Sequence, residues 1–276
     1  MLLDELFPKM ASPGKLSNSS LVPLTMAEEE KQIGIVIPVF HEEQTIKTVL
    51  LGLQNLNLPR VRVYVVADSN TYPPLEAVES FKAESTLDIR VLVQVSSSGP
   101  ASALMLGIKE SREDFMVFVT GDDSDNPNDI PALVRILQEG YAVASASRYA
   151  RGGRHVGGPK LKHALSRLAG YISFFLLRTG TSDPTNLFKA VRRDFLESVI
   201  IESRQGFTIG IELVTKSQIY SRLANKETPT IWNERSLGHS NFEFFRWLPS
   251  YIYWFSRLIQ NSVRRNLLRV RRRNKQ

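Results

Sequence analysis

Apolar residues along the chain fall into short continuous runs that alternate with longer segments of helical periodicity. Such runs are typical of strands that a sheet buries on both faces, because a solvent-facing strand alternates apolar and polar positions. The predicted strands are residues 33–40, 61–67, 89–95, 115–119 and 142–146, and the predicted helices are residues 41–53, 101–111 and 130–138. Strands that alternate with helices at this spacing predict an α/β fold with a mainly parallel central sheet flanked by helices.

Acidic and small polar residues directly follow three of these predicted strands. Asp68 follows the second strand, the Ser- and Gly-containing segment 96–99 follows the third, and Asp122, Asp123 and Asp125 follow the fourth. Ligands of open α/β sheets bind at the carboxyl ends of the strands, where all three groups would meet. Hard divalent cations prefer carboxylate oxygens, so this pattern predicts a cation site that serves diphosphate chemistry. The alternative is that the aspartates cap the next helix, because Asp-Asn-Pro is a helix-start signal.

The formal net charge of +7 is concentrated at one end of the chain. Residues 260–276 contain seven basic residues and no acidic residue, which leaves the other 259 residues near neutral. The basic charge therefore belongs to a tail, and nucleic acid is not an expected partner of the folded part. The absence of cysteine from the sequence excludes disulfides and thiol nucleophiles, and it is compatible with a reducing cytoplasm.

The chain is predicted to have three parts. Residues 1–30 are expected to be disordered, and they resemble neither a signal peptide nor a membrane span. Residues 31–241 form the predicted α/β domain, and the 42% hydrophobic content of the whole chain is ample for a core. Residues 242–276 are expected to form an amphipathic helix at a membrane surface, followed by the basic tail.

Two segments have the pattern of helices that lie in the headgroup layer of a membrane. Residues 244–259 place aromatic and aliphatic side chains at helical spacing, with Trp247 and Trp254 beside them. Residues 160–178 contain a second apolar stripe with basic residues elsewhere. Half-buried rings and nearby arginines suit that layer, whereas Pro249 and several charges argue against a full span. The alternative is a packing helix with a solvated tail.

Several motifs resemble, in the same order, those of family 2 glycosyltransferases with the GT-A fold, in particular the branch that acts on polyprenyl phosphates. Residues 35–43 resemble the opening Val-Ile-Pro-x-Tyr-Asn-Glu, and residues 121–127 resemble the Asp-x-Asp metal motif with its trailing His-Pro. Residues 146–153 resemble Gly-Ser-Arg-Tyr-x-x-Gly-Gly, residues 183–189 resemble Asp-x-Thr-Ser-Gly-Phe-Arg, and residues 235–241 resemble Arg-x-x-Gly-x-Ser-Lys. The resemblance implies a GT-A fold.

The resemblance also implies roles for residues in these motifs. Asp123 and Asp125 would bind Mg²⁺ or Mn²⁺, and the catalytic set would comprise Asp123, Arg148 and Asp183, with the Arg148 guanidinium binding a phosphate group. The implied donor-binding residues are Pro38, Phe40, Glu42, Asp68, Asp122, Arg235 and His239. Simpler roles remain open for some of them: turns for Asp68 and Asp183, a first-turn helix acid for Glu42 and a surface salt bridge for Arg148.

The chain departs from the family pattern at four positions, which are Ala67, Gly121, Lys189 and Asn241. Gly121 stands where the family has its first metal-binding acid. Asp122 or Asp125 can supply the missing oxygen, and Asp123-Ser124-Asp125 restores the same spacing. The departures are compatible with altered specificity and with lost activity. On a strongly apolar helix, Glu212 is a candidate buried partner for Arg148 or Arg235.

The expected function is inverting, metal-dependent transfer of a hexose from a GDP- or UDP-sugar to a polyprenyl phosphate. The expected location is cytoplasmic, with peripheral association at the cytoplasmic face of a membrane. No carboxylate base motif of the kind used with hydroxyl acceptors follows Gly180, and a phosphate acceptor is already ionised near neutrality. Two alternatives remain open: transfer to a saccharide or small-molecule hydroxyl, and a catalytically inactive membrane-associated binding module.

Overall fold

The computed structural model describes residues 31–68, 72–94, 99–157, 160–234 and 244–273, so the predicted disordered segment 1–30 lies outside the described residues. The strands are β1 (Ile33–Val39), β2 (Val61–Asp68), β3 (Asp88–Gln94), β4 (Phe115–Phe118), β5 (Val143–Ser147), β6 (Arg154–Val156), β7 (Lys189–Arg192), β8 (Asn225–Pro229) and β9 (Ile231–Asn233). The helices are α1 (Ile46–Asn55), α2 (Tyr72–Glu84), α3 (Pro100–Glu110), α4 (Ile130–Gln138), α5 (Lys160–Tyr171), α6 (Arg193–Glu197), α7 (Ile209–Tyr220) and α8 (Phe244–Arg273). A 3₁₀ turn at Pro127–Asp129 precedes α4, and a π-helix at Ile172–Leu176 continues α5.

In the part of the chain that the structure describes, seven strands form the central sheet in the order β3-β2-β1-β4-β7-β5-β8, and β6 pairs with β9 in a small second sheet. β1 is parallel to both β2 and β4, β2 is parallel to β3, and β7 runs antiparallel to both of its neighbours. The predicted mainly parallel α/β sheet is confirmed, with each of the five predicted strands within one residue of its expected bounds. The apolar pattern does not reveal β8, because that strand is the polar run Asn-Lys-Glu-Thr-Pro.

Helices cover both faces of the sheet. Ile35 and Ile37 of β1 enter one apolar core, which α1 and α4 cover, while Val36 enters the other, which α3, α6 and α7 cover. This alternation buries the continuous apolar strands on both sides, as their composition predicts. α1 begins at Ile46, later than predicted, because residues 42–45 form a turn whose Glu42 carbonyl accepts the N–H groups of Thr45 and Ile46.

The long helix α8 packs along α7. Trp247 and Trp254 are only 8% and 4% exposed, and the Asn261 side-chain amide donates to the Thr215 carbonyl oxygen at 3.1 Å. The ring of Trp247 lies so close to Gly206 that a Cβ there would be 2.4 Å from it, which excludes a larger residue at that position. The interpretation of both tryptophans as headgroup-layer residues is wrong, because α7 and its flanking loop bury them.

α5 and its π-helical extension turn a group of apolar residues outward. The side chains that share this exposure, here called the α5 patch, are Leu165, Leu168, Tyr171, Phe174, Phe175 and Leu176, each between 37% and 65% exposed. A contiguous exposed apolar surface of this kind marks an interaction site. None of the described helices combines the length and the apolar character needed to cross a bilayer.

Candidate active site

The acidic residues after β4 form a tight turn at the carboxyl end of the sheet. The backbone N–H and the hydroxyl of Thr120 both lie 2.9 Å from Asp125 Oδ2, and the same hydroxyl lies 2.7 Å from Asp122 Oδ1. Ser124 donates its hydroxyl to Asp122 Oδ1 at 2.6 Å. Asp123 occupies the tip of the turn, exposed to solvent and with φ at +60°, a conformation that Asp and Asn tolerate better than most residues. The turn therefore orders Asp122 and Asp125 and presents Asp123 to solvent.

Asp125 is the buried member of this turn, with 3% of its surface exposed. Burial raises the pKa of Asp125 to about 7, with hydrogen bonds from Thr120 opposing the shift and the Asp122 charge adding to it. Its Oδ1 atom has no hydrogen-bond donor among the described residues. A buried oxygen without a partner is costly, and a cation bound there would offset that cost. The carboxylate oxygens of the turn therefore suit a bound metal ion, with Asp125 as one of its ligands.

A cation at this turn would draw only part of its coordination from the protein. Among the described residues, no three acidic or histidine side chains converge on one point. Mg²⁺ commonly binds through one or two carboxylates and completes its octahedron with water and substrate phosphates. Asp123 and Asp125, two positions apart as predicted, are the residues that would hold such an ion. A diphosphate would supply further oxygens.

The end of β1 closes against the acidic turn at Gly121. A Cβ on Gly121 would lie 3.0 Å from Val39 Cγ1 and 3.3 Å from both the Pro38 carbonyl oxygen and Glu42 Cγ. The Thr45 hydroxyl donates to the Gly121 carbonyl oxygen at 2.8 Å and holds the two segments together. Any side chain at position 121 would displace these neighbours. This tight contact favours glycine at position 121, where the family pattern has an acid.

Phe40 and Glu42 shape the surface next to this contact. Glu42 Oε2 accepts the backbone N–H groups of Phe40 at 2.5 Å and His41 at 3.0 Å. Phe40 is 42% exposed, and its ring lies 4.1 Å from the His41 ring. An exposed aromatic ring at the end of a strand is a surface on which a nucleotide base can stack. Glu42 thus orders the backbone that presents the ring.

Arg148, directly after β5, binds Asp183 through a two-pronged ion pair. Its Nε lies 2.7 Å from Asp183 Oδ2, its Nη2 lies 2.8 Å from Oδ1, and its backbone N–H donates to Oδ2 at 3.1 Å. The rings of Tyr149 and Trp232 lie 5.4 Å and 5.6 Å from the guanidinium carbon. The side chains of Arg148 and Asp183 are 11% and 0% exposed, so the pair is buried rather than a surface salt bridge. Among the described residues, none hydrogen-bonds to Arg148 Nη1.

The ion pair determines the charge state of Asp183. Burial alone would raise the pKa of Asp183, but the charge and hydrogen bonds of Arg148 hold it below the ordinary value, and Lys189 adds to the effect. An ionised carboxylate that already accepts three hydrogen bonds from one arginine is a poor proton acceptor. The Arg148 charge also opposes the rise in the pKa of Asp125, so the ion pair is close enough to the acidic turn to interact with it electrostatically.

Lys189 is fully buried beneath this pair. Its Nζ donates to the carbonyl oxygens of Asp183 at 3.2 Å and Asn186 at 2.5 Å, so it holds the turn that presents the Asp183 carboxylate. Burial lowers the pKa of Lys189 to about 8, although the Asp183 charge opposes the shift. Where the family motif has arginine, lysine therefore supplies the buried cation.

The lowered pKa of Lys189 predicts that its contribution to stability depends on pH. Between about pH 8 and pH 10 the unfolded chain keeps the lysine proton that the folded chain has lost, so the free energy of unfolding rises with pH. We expect the wild type to gain about 1.4 kcal/mol per pH unit over Lys189→Met in this range. Urea unfolding at pH 7.5, 8.5 and 9.5 measures the difference. The difference between the wild type and Lys226→Met, which removes an exposed lysine paired with Glu139, should stay constant over this pH range. An equally constant difference between the wild type and Lys189→Met would refute the expectation.

The structure brings some of the predicted site residues together and leaves others undescribed. The acidic turn meets Pro38 and Glu42, and Arg148 pairs with Asp183 next to it. Asp68 ends β2, parallel to β1, but its side chain lies outside the described residues, as do Arg235 and His239. Glu212 is not a partner of Arg148: its carboxylate accepts backbone N–H groups of residues 202 and 203 and pairs with Lys216 at 2.7 Å.

Sequence reasoning missed three contributors to the site. Thr120 bridges Asp122 and Asp125, Trp232 faces the Arg148 guanidinium from β9, and Glu227 of β8 accepts hydrogen bonds from the residue that precedes Asp183. Thr120 could have been predicted from its position, because it directly follows a buried strand. Trp232 and Glu227 belong to short strands more than forty residues away in the chain, and no local pattern connects them to the site.

Comparison with known proteins agrees with this geometry. The sequence model described as "Glycosyl transferase family 2" matches residues 34–200, which is more than half of the chain. The chain belongs to glycosyl transferase family 2. This family 2 glycosyltransferase is 24% identical over 244 residues to a dolichol-phosphate mannosyltransferase of Pyrococcus furiosus, covering 84% of the chain and 68% of the relative. It is 26% identical to a polyprenol monophosphomannose synthase of Mycolicibacterium smegmatis, covering 79% and 83% of the two proteins.

Solved structures support the fold of this family 2 glycosyltransferase. The glucosyl-3-phosphoglycerate synthase of Mycobacterium tuberculosis, crystallised with Mn²⁺, uridine diphosphate and phosphoglyceric acid, superposes with a TM-score of 0.61 at 18% identity. The superposition covers 84% of this chain and 79% of the synthase. The expected GT-A fold and the expected glycosyltransferase class are confirmed. Membership of a glycosyltransferase family disfavours the alternative of a catalytically inactive binding module.

Proposed function

We propose that this family 2 glycosyltransferase moves a hexose from a nucleotide-diphosphate sugar to a polyprenyl phosphate at the surface of a membrane. The observation that carries the proposal is the buried Arg148–Asp183 ion pair. Its guanidinium is close enough to the acidic turn to interact electrostatically with Asp125, and it engages the carboxylate of Asp183. The names of the Pyrococcus and Mycolicibacterium relatives point to the same class of acceptor. Their mannosyl transfer makes mannose the first sugar to test.

On the donor side, the acidic turn and the end of β1 would bind the nucleotide diphosphate. Asp123 and Asp125 would hold Mg²⁺ or Mn²⁺, which when bound supplies positive charge against the leaving diphosphate. Phe40 offers its exposed ring to the base, on a backbone that Glu42 orders. Titration of the protein with GDP and with UDP distinguishes guanine from uracil as the base of the donor. Asp68, Arg235 and His239 stay candidates for further donor contacts.

On the acceptor side, Arg148 would orient an anionic nucleophile. Its Nε and Nη2 groups bind Asp183, which fixes the plane of the guanidinium and leaves Nη1 to bind a ligand. Asp183 would act by positioning Arg148 and not by accepting a proton, because its pKa is held low and it is fully buried. An ionised phosphate oxygen attacks the anomeric carbon without a general base, whereas a sugar hydroxyl needs one. The arrangement therefore favours a phosphate acceptor.

The α5 patch would bring the site to the acceptor lipid. Its aromatic residues form a cluster in which the Phe175 ring lies 4.8 Å from Tyr171 and 5.1 Å from Phe174. Arg167 and Arg178 flank these residues and are exposed. Exposed rings and aliphatic chains bordered by arginines suit the headgroup layer of an anionic membrane. Association with the cytoplasmic face is part of the proposal.

A transfer assay with defined acceptors tests the proposed function. Purified protein, Mn²⁺ or Mg²⁺ and radiolabelled GDP-mannose, UDP-glucose or UDP-galactose are incubated with a short polyprenyl phosphate in detergent, or with free saccharides. We expect a metal-dependent lipid product from one of the donors and none from the saccharides. A product formed only on a hydroxyl acceptor would favour the alternative transferase. Failure of every nucleotide to bind, with or without metal, would contradict both transferases.

Membrane binding should have two separable components. Phe175→Asp is expected to lower partitioning onto phosphatidylglycerol-containing vesicles by about tenfold or more at any salt concentration, because burial of a phenylalanine contributes about 1.5–3 kcal/mol. Replacing arginines 271–273 by glutamine should lower binding mainly at low salt, because their attraction is screened. Vesicle flotation at 50 and 500 mM salt measures both effects. Leu51→Asp, at a similarly exposed leucine on α1, is the matched control; equal losses for Leu51 and Phe175 would remove α5 from the membrane contact.

A further inference from the structure

The loops that present Arg148 and Asp183 are joined by a second link beside the ion pair. Ser147 precedes Arg148, Ser182 precedes Asp183, and the two serine hydroxyls lie 2.9 Å apart. Two neighbouring residues on one loop thus contact two neighbouring residues on the other, one pair through hydroxyls and one through charges. The position of the Arg148 guanidinium therefore depends on how Ser182 is held.

Glu227 of β8 holds Ser182. Its Oε2 accepts the backbone N–H of Ser182 at 2.6 Å and the Ser182 hydroxyl at 2.8 Å. Since the Ser182 hydroxyl proton points to Glu227, the Ser147 hydroxyl must donate to Ser182. Ser147 Oγ in turn accepts the backbone N–H of Ala150 at 3.0 Å. A directed chain of hydrogen bonds runs from the Arg148 loop through two serines to one carboxylate, and such chains strengthen cooperatively.

Close packing prevents the Ser182 loop from relaxing in other directions. A Cβ on Gly170 of α5 would lie 2.0 Å from the Ser182 carbonyl oxygen. A Cβ on Gly180, where φ is +83°, would lie 2.0 Å from the Asn225 carbonyl oxygen of β8. The loop is therefore held between α5 and β8, and the carboxylate of Glu227 sets its remaining orientation.

We infer that Glu227 is a positioning residue for transfer, which acts by orienting the loops of Arg148 and Asp183 through Ser182 and Ser147. The inference rests on the proposed role of Arg148 toward the acceptor. Among the described residues, Glu227 hydrogen-bonds to Ser182 and not to the acidic turn. Its loss should therefore affect turnover and acceptor use more than donor binding.

The test compares Glu227→Ala, Glu227→Gln and Ser182→Ala in steady-state transfer assays. We expect Glu227→Ala to lower kcat between about tenfold and a hundredfold, because a misplaced reacting group loses rate on this scale, with donor KM unchanged within about twofold. Glu227→Gln should restore most of the rate, since one amide oxygen can accept both Ser182 bonds. Ser182→Ala should lower kcat in the same way as Glu227→Ala. It keeps the test decisive if Glu227→Ala fails to fold.

The matched control is Glu139→Ala, which removes the exposed partner of Lys226, the neighbour of Glu227 on β8. Its kcat should stay within about twofold of wild type. The inference would be overturned if both Glu227→Ala and Ser182→Ala kept the wild-type kcat. It would also be overturned if Glu227→Gln lost as much kcat as Glu227→Ala. A wild-type enzyme that uses only a hydroxyl acceptor would instead contradict the proposed acceptor, and the variants would then be compared on that acceptor with the same criteria.

Discussion

Replacing Asp123 with asparagine is expected to lower metal-dependent transfer at least about a hundredfold while leaving the fold intact. A cation at this turn would contribute several kcal/mol of charge stabilisation to the departing diphosphate, and an amide oxygen holds it far less well than a carboxylate. The fold should survive because Asp123 is exposed and its φ of +60° is one that asparagine adopts readily. Nucleotide affinity with and without Mn²⁺, initial transfer rates and thermal unfolding give the three readouts.

A carboxylate next to the other end of β4 supplies the control for Asp123. Asp114 precedes the strand at its opposite end, where its exposed side chain accepts a hydrogen bond from the Lys31 ammonium. Asp114→Asn removes the same charge and should leave Mn²⁺-linked nucleotide affinity unchanged. Asp125→Asn should behave like Asp123→Asn in the metal titration. Metal-linked affinity that survives in both Asp123→Asn and Asp125→Asn would move the cation to another part of the chain.

The predictable part of the fold is the part with a strong local signal. Continuous apolar runs such as that of β1 lie in the middle of the sheet, so burial on both faces leaves a trace in composition. The ordered resemblance of short motifs then predicted the GT-A fold, because those motifs mark strand ends. β8 left no such trace. Its residues are polar, and it pairs with β5 from a position about eighty residues later in the chain.

Contacts between distant loops explain why the site was predicted only in part. The motif that contains Arg148 and the motif that contains Asp183 were each recognisable, but their pairing depends on the antiparallel β7 between β4 and β5. The burial of the two tryptophans of α8 could not be predicted for a similar reason. Helical periodicity identifies an apolar stripe, yet whether Trp254 meets lipid or protein depends on where α7 lies.

Removing the Arg148 side chain should cause the other large loss. Arg148→Ala would take away the guanidinium proposed to bind the acceptor phosphate, and loss of one preorganised charged donor of this kind lowers rate about a hundredfold to a thousandfold. It would also leave Asp183 buried without its partner, which destabilises a protein by about 3–5 kcal/mol. A slow and unstable variant would not by itself distinguish a role in binding from a role in folding.

The double variant Arg148→Met/Asp183→Leu separates these roles. Apolar side chains of similar volume commonly replace a buried ion pair at little cost in stability, so this variant should unfold closer to wild type than Arg148→Ala does. We expect it to remain unable to transfer, because no group replaces Nη1. Arg192→Ala, which breaks the exposed pair with Asp194, is the control and should transfer normally. A folded double variant with wild-type turnover would show that Arg148 serves the structure alone. The acceptor phosphate would then have to be bound by residues outside the ion pair, and the preference for an ionised nucleophile would lose its main support.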